Sequence, residues 1–166
     1  MIFQNEMQLK LEKFTLSDFH HYFSLVSNQR VMEMITERAI ELDEAKGDYD
    51  KIIENNKINK DFGNFKILDR HTKDFIGLAK LEAEALNFTE AEIGYMILPA
   101  YWRKGVGTEV TKQLIGCAIR HNLKRITAII DPKNLPSRKI LINNGFKSVI
   151  IKEIDGLPGE ILGLEL

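Results

Sequence analysis

The chain has 166 residues, of which 44% are hydrophobic and 28% charged, with a formal net charge of −1 at pH 7. This composition is typical of a soluble globular protein, and the length suits one domain over residues 1–166 with a sizeable core. The near-zero net charge gives no electrostatic bias toward nucleic acid or an anionic membrane. The single cysteine, Cys117, excludes an internal disulfide framework and a multi-cysteine zinc site.

No segment reads as a membrane span, a secretion signal or a metal site. Apolar runs stay below the roughly 18 residues that a membrane span requires, and the first residues lack the apolar stretch of a signal peptide. The histidines lack the His-x-x-x-His spacing of metal ligands on a helix. We therefore expect a cytoplasmic protein with no membrane partner and no bound metal.

Hydrophobic periodicity divides the chain into strands and helices. In chain order it predicts a strand at residues 8–14, a helix after residue 18, a helix through 42–56, strands at 64–70, 74–82 and 90–98, a helix at 105–121, a strand at 124–130, a helix at 135–144 and two last strands joined by a turn at 155–159. The run at 124–130 is apolar almost throughout, as in a strand covered on both faces. The order predicts one α/β domain with a mixed sheet.

The junction before the helix at residue 105 carries two glycines and two cations within a few positions, in the run Arg103-Lys104-Gly105-Val106-Gly107-Thr108. A helix N-terminus leaves about four backbone N–H groups without intrahelical partners and adds partial positive charge. Glycines let a bulky anion approach those groups closely. The junction therefore predicts a phosphate or diphosphate site, with a turn that only starts a helix as the alternative.

Two motifs in the right order carry a family resemblance. The first is Glu92-Ile93-Gly94-Tyr95-Met96-Ile97-Leu98-Pro99-Ala100-Tyr101-Trp102-Arg103-Lys104-Gly105-Val106-Gly107. The second is Asn134-Leu135-Pro136-Ser137, followed by Asn143-Asn144-Gly145-Phe146. Together they resemble the acetyl-CoA-binding region of the GNAT superfamily of N-acetyltransferases. More narrowly, they resemble the RimJ/RimL-like branch, which acetylates the N-termini of ribosomal proteins.

The resemblance implies a fold and a way of binding acetyl-CoA as cosubstrate. The implied fold is a single GNAT-like domain with a mixed, mostly antiparallel sheet of about seven strands, splayed at the cofactor site and flanked by helices. Backbone groups of Ile97 and Leu98 would meet the pantetheine arm and the thioester carbonyl. The implied cofactor-binding residues are Ile97, Leu98, Arg103, Lys104, Gly105, Val106, Gly107, Thr108, Asn134 and Ser137.

The implied reaction is attack of a primary amine on an acetyl thioester, which needs a proton acceptor for the amine. Glu92 is the first candidate for this base, directly or through water, with Glu90 and Tyr95 as alternatives. A solvent-facing carboxylate on a half-buried strand is the structural alternative for Glu92. Many family members protonate the leaving thiolate with a tyrosine, but Leu141 stands at that position. Ser137 could instead donate a hydrogen bond to the sulfur, or serve only in the first turn of its helix.

Other functions stay open at this point. One is a catalytically silent module that binds acyl-CoA as a sensor. Another is a dinucleotide-binding oxidoreductase, although Val110 stands where that fingerprint needs a third glycine. The acceptor would be a protein N-terminus or a small amine, nucleic acid is not an expected partner, and the protein would be a monomer or homodimer.

Overall fold

The computed structural model describes residues 7–84 and 87–166. Within these ranges the elements are β1 (Leu9–Lys13), α1 (Phe19–Val26), α2 (Gln29–Met32), α3 (Leu42–Ile58), β2 (Gly63–Asp69), β3 (Phe75–Glu84), β4 (Asn87–Ile97), α4 (Val106–Arg120), β5 (Arg125–Ile130), α5 (Leu135–Asn143), β6 (Lys147–Ile154) and β7 (Leu157–Glu165), with short 3-10 turns at Leu16–Asp18 and Pro99–Tyr101. None of the helices described is both long and apolar enough to span a bilayer.

The strands form one seven-stranded sheet in the order β1-β2-β3-β4-β5-β7-β6. Every neighbouring pair is antiparallel except β4 and β5, which run parallel and are joined through α4. This confirms the predicted mixed, mostly antiparallel sheet flanked by helices. The parallel pair lies at the centre of the sheet, directly beside the loop that begins α4.

Two apolar cores lie on the two faces of the sheet. One packs α4 and α5 against the central strands, and the other packs α1, α2 and α3 against β2 and β3. Strand β4 contributes to both because successive side chains alternate between faces. Tyr95 and Ile97 pack toward the α4 core, whereas Met96 packs toward the α1–α3 core. The even-numbered positions of β4, Glu92 included, therefore lie on the α1–α3 face.

The structure corrects two expectations. Strand β5 is covered on one face only, since Ile126 and Ala128 are buried but Ile129 is 43% exposed. Helices α1 and α3 contact β2 and β3, so the β5 side of that face stays open. The last turn is also shorter than predicted: it consists of Asp155 and Gly156, whose φ angles of 52° and 81° suit a two-residue hairpin.

Candidate functional site

Strands β4 and β5 separate partway along their length. Their ladder covers only Glu90–Ile93 against Arg125–Ala128. Beyond it, β4 stays with β3 as far as Ile97, and β5 stays with β7 as far as Ile130. The β5-facing edge of β4 from residue 94 to 97 is therefore open, which is the splay implied by the resemblance.

At this open edge, the backbone groups of Ile97 and Leu98 point in opposite directions. The Leu98 N–H donates to the Ile76 carbonyl on β3 (2.9 Å), and the Leu98 carbonyl accepts from Tyr101 (2.9 Å). Alternation along the strand turns the Ile97 N–H the other way, toward the open edge. A ligand lying along this edge would therefore find a backbone donor at Ile97, whereas both groups of Leu98 already have partners within the protein.

The loop before α4 presents a run of backbone donors. The first hydrogen bond of the helix runs from Glu109 N–H to the Gly105 carbonyl (3.1 Å). Over the described ranges, the backbone N–H groups from Arg103 to Thr108 have no acceptor. Their number and position match those of an anion site at a helix N-terminus. The cations of Arg103 and Lys104 are exposed beside them.

The two glycines of the loop serve different purposes. Gly105 is the N-cap residue of α4 and adopts a left-handed φ of 78°, where a side chain would strain the backbone. A Cβ on Gly107 would instead lie 2.9 Å from Ile140 and 3.3 Å from the Tyr95 ring. Gly107 thus lets α4 pack closely on β4 and α5. The close approach seen at this position is to protein atoms, and the predicted approach of a phosphate stays a prediction.

Trp102 ties the loop to the end of β4. Its indole N–H donates to the Ile97 carbonyl at 2.7 Å. The guanidinium of Arg30, from α2, lies over the indole ring at 5.0 Å from the ring centroid. A tryptophan at the head of the loop therefore fixes the loop against the open edge and also contacts Arg30 of α2.

An open cleft of about 370 Å³ runs from the splay onto the α1–α3 face. Its lining brings together four of the predicted or alternative site residues, namely Glu92, Tyr95, Asn134 and Ser137. Leu141, which stands at the family's tyrosine position, also lines it. Sequence-distant candidates for proton transfer thus share one cavity, at the place where β4 and β5 part.

Glu92 belongs to a row of polar side chains across three strands. The Lys80 ammonium lies 3.3 Å from the Glu92 carboxylate and 4.0 Å from that of Glu82. Glu82 in turn accepts a hydrogen bond from the Asn64 amide at 3.0 Å. Register explains the grouping, because Glu92 pairs with Glu82 and Gly94 pairs with Lys80. Glu92 is therefore paired with a cation and also open to the cleft.

On the α5 side of the cleft, two hydroxyl groups meet. The Tyr95 hydroxyl donates to Ser137 Oγ at 3.2 Å. Burial raises the pKa of the Tyr95 phenol, although the Ser137 contact opposes the shift, so the phenol stays protonated at neutral pH. Asn134 is the N-cap residue of α5, and its side-chain oxygen accepts from the Ser137 N–H (3.3 Å). The Asn-x-x-Ser motif thus caps the helix and also places the Ser137 hydroxyl in the cleft.

Arg138 carries a contact that the sequence did not predict. Its Nε donates to both oxygens of Glu160 (2.9 and 3.3 Å), a fully buried carboxylate on β7. Burial acts to raise the pKa of Glu160, but hydrogen bonds from Arg138 and Ser148 outweigh it, and the pKa lies below its usual range. The pair fixes the first turn of α5, and with it Ser137, against the sheet.

Other reactive side chains do not form a site. Throughout residues 7–84 and 87–166, no group of three or more His, Cys, Asp or Glu side chains could hold a metal ion. Cys117 packs against the core on the α4 face, and burial raises the pKa of its thiol. A protonated, half-buried thiol is a poor nucleophile, which agrees with a packing role.

Comparison with known proteins decides the family. A sequence model of the acetyltransferase (GNAT) domain matches residues 8–147 of this chain. The chain belongs to the GNAT family. Over 79 residues the chain is 35% identical to YoaA, an uncharacterized N-acetyltransferase of Bacillus subtilis (strain 168). The match covers 47% of this chain and 45% of YoaA. The chain therefore spans less than half of the length of that relative.

Solved structures share the GNAT fold along nearly the whole chain. An acetyltransferase (GNAT family) from Bacillus anthracis superposes with a TM-score of 0.80 at 19% identity, covering 95% of each chain. The spermidine N-acetyltransferase of Vibrio cholerae, solved with CoA and spermine, gives 0.77 at 23% identity, again over 95% of each chain. At these identities the likeness establishes the fold alone, and the RimJ/RimL-like branch stays a prediction.

Sequence reasoning missed three side chains of the GNAT cleft, namely Asn64, Lys80 and Glu82. Lys80 and Glu82 share one face of a strand, since they alternate with the buried Ala79 and Leu81. That alternation predicts a polar face on β3. The sequence does not give the register that places this face beside Glu92.

Proposed function

We propose that this protein is an acetyl-CoA-dependent N-acetyltransferase that transfers the acetyl group to a primary amine by direct attack. The observation that carries the proposal is the open edge of β4, which begins where the β4–β5 ladder ends after Ile93. At one end this edge meets the free N–H groups of the loop before α4. On its α1–α3 side it opens into the cleft that holds Glu92. Cofactor groove and acceptor cleft thus meet in one place.

The residues present fit acetyl-CoA. The N–H groups from Arg103 to Thr108 would bind the diphosphate, and the left-handed Gly105 shapes their arc. The Ile97 N–H would meet the pantetheine arm or the thioester carbonyl oxygen, as an added strand does at a sheet edge. When bound, acetyl-CoA supplies an acetyl group already activated as a thioester.

Glu92 is the proposed base. An acceptor amine enters the cleft protonated and must lose a proton before its nitrogen can attack. Glu92 lies on the α1–α3 face of β4, and the cleft gives it access to that amine or to an intervening water. The Lys80 ammonium lies beside it, 3.3 Å from the Glu92 carboxylate.

Ser137 is the proposed hydrogen-bond donor to the leaving sulfur, in place of the tyrosine that Leu141 replaces. Because the Tyr95 hydroxyl donates to Ser137 Oγ, the Ser137 proton is free to point elsewhere in the cleft. Asn134 and the Arg138–Glu160 pair hold this first turn of α5 in place. The first turn of α5 and the Tyr95 phenol therefore hold Ser137 in a fixed position as a donor.

A protein N-terminus remains one candidate acceptor, as the predicted RimJ/RimL-like branch implies. A polyamine is another, because the Vibrio cholerae relative of similar fold is a spermidine N-acetyltransferase. The cleft is open rather than enclosed, so it admits the end of a longer chain as well as a small amine.

Thiol release from acetyl-CoA tests the activity. The protein is incubated with acetyl-CoA and a panel of amines and peptides, free thiol is followed, and the acetylated product is identified by mass spectrometry. A thermal melt with acetyl-CoA and with NAD tests the ligand separately, and stabilisation by NAD alone would contradict the proposal. Stabilisation by acetyl-CoA without thiol release from any acceptor would favour the acyl-CoA-binding sensor instead.

A further inference from the structure

Lys80 occupies the part of the cleft where an acceptor amine would meet Glu92. Its side chain crosses Gly94 on the neighbouring strand, and a Cβ on that glycine would lie 2.9 Å from Lys80 Cε. Its ammonium is 3.3 Å from Glu92 and 4.0 Å from Glu82. The side chain is 29% exposed, so its charge faces the cleft as well as the carboxylates. The Lys80 stem therefore covers the strand at the point where β4 begins to open.

This lysine changes the charge that an acceptor encounters. Lys80, Glu82 and Glu92 are the ionised side chains among the described residues that line the cleft, and two carboxylates with one ammonium leave one negative charge. One entering ammonium balances that charge. A second cation on the same acceptor would be repelled by the Lys80 ammonium, and the cleft would have no further carboxylate to balance it.

Acidic residues of α3 do not supply the missing partner. Burial, with Asp48 and Glu44 nearby, raises the pKa of Tyr22 to about 12, so both carboxylates lie within electrostatic range of this tyrosine. Neither of them lines the cleft. Glu44 is already held by Arg38 through two hydrogen bonds of 2.8 and 2.9 Å.

The cleft also has an apolar wall on the α1–α3 face. It is formed by side chains from the helices and from the segment after α2, together with two sheet residues, namely Tyr22, Met34, Ile35, Ile52, Leu78 and Met96. Met34 and Ile35 are 36% and 42% exposed, respectively. Apolar surface of this kind gains free energy when a hydrophobic group covers it. The cleft thus combines one uncompensated negative charge with an apolar wall.

We propose that Lys80 determines acceptor specificity, fitting the cleft to amines with one positive charge next to an apolar body and disfavouring polyamines. The inference rests on the proposed acetyltransferase function and narrows its substrate class. Like charges a few ångströms apart in a partly buried site repel strongly, whereas the apolar wall rewards a hydrophobic substituent. Lys80 acts on the charge of the acceptor and leaves the chemical step to Glu92.

Competition between acceptors tests the proposal. At saturating acetyl-CoA, kcat/KM is measured for phenethylamine, for a peptide with an apolar N-terminal residue and no other cation, and for spermidine. The wild type should favour one of the singly charged acceptors over spermidine by about tenfold or more. In Lys80→Met, which removes the charge and keeps the length of the stem, the ratio should move toward spermidine by about tenfold.

Lys80→Arg is the matched control, because it keeps the charge and should keep the wild-type ratio. High salt should weaken the discrimination in the wild type and leave Lys80→Met less affected. A wild-type preference for spermidine, or an equal loss for all acceptors in Lys80→Met, would overturn the inference while leaving the acetyltransferase function intact. Absence of thiol release with every acceptor would overturn both. The wild-type ratio and its salt dependence decide the matter even if Lys80→Met does not fold.

Discussion

The loop before α4 and the cleft beside Glu92 adjoin the same strand, but they are built from different parts of the chain. The loop offers backbone N–H groups from one short stretch, Arg103 to Thr108, shaped by the left-handed Gly105. The cleft offers side chains from β2, β3 and β4, which only the sheet register brings together. A site built from backbone groups can be recognised from a local sequence motif, whereas a site built from side chains of several strands depends on the whole fold.

The variant Glu92→Gln should distinguish most clearly between the role of the cleft in catalysis and the role of the loop in cofactor binding. Removing a general base lowers the rate by about 10²–10⁴-fold, so kcat should fall by this amount. Acetyl-CoA affinity should stay within about twofold, because the phosphate-binding N–H groups belong to the loop. Steady-state kinetics and calorimetric titration with acetyl-CoA measure the two effects.

Glu90→Gln is the matched control for this prediction. Glu90 lies two residues earlier on the same strand, and the alternation of β4 places it on the same face. If Glu92 is the base, Glu90→Gln should leave kcat nearly unchanged. Full turnover in Glu92→Gln with a large loss in Glu90→Gln would transfer the role to Glu90, the alternative that the sequence left open.

Backbone conformation in the loop is the target of the second prediction. Gly105→Ala places a Cβ at a φ of 78°, which costs about 1–2 kcal/mol of stability. Because relief of that strain moves the donor N–H groups, acetyl-CoA affinity should fall as well. Gly47→Ala is the control, since it lies in α3 with nothing within 4 Å of its Cβ. It should raise stability by about 0.5–1 kcal/mol and leave affinity unchanged, as thermal melts with and without acetyl-CoA would show.

The difference between the regions also explains what could be predicted. The order and type of the strands followed from periodicity, and the loop followed from Gly105, Gly107 and their flanking cations. The burial pattern of β5 did not, because the sequence cannot tell that α1 and α3 pack mainly over β3 and β2 and leave the β5 side of that face open. The buried Glu160 was missed for a similar reason, since its partner Arg138 comes from α5, 22 residues earlier in the chain.

Trp102 links the two regions and gives the third prediction. Trp102→Phe keeps an aromatic ring for Arg30 but removes the donor to the Ile97 carbonyl. A hydrogen bond of this kind contributes about 0.5–1.5 kcal/mol, so KM for acetyl-CoA should rise about two- to tenfold with kcat largely kept. Arg30→Gln, which removes the cation and keeps the indole donor, should have a smaller effect. A larger rise in KM for Arg30→Gln than for Trp102→Phe would mean that the ring contact, more than the hydrogen bond, holds the loop.

Acid sensitivity gives the smallest effect. It compares the two buried carboxylates that anchor α1 and α5 to the sheet. On the α1–α3 face, Asp18 contacts Lys66 at 3.0 Å, and both side chains are nearly buried. Burial acts to raise the pKa of Asp18, but hydrogen bonds from Thr15 and Lys66 outweigh it, so the pKa lies below its usual value. Glu160 plays the corresponding part on the α5 side, held by Arg138.

A carboxylate whose pKa is lowered by folding stabilises the protein above its unfolded pKa of about 4, and this contribution is lost as pH falls through the folded value. The free energy of unfolding should therefore be flat from neutral pH to about pH 5 and decline below about pH 4. Asp18→Asn should lower stability at pH 7 and make the acid decline shallower. Hydrogen exchange at low pH should then show earlier opening of α1 than of α5 in this variant, because Glu160 and Arg138 still anchor α5 to β7. Opening of both helices together would mean that the two anchors belong to one cooperative unit.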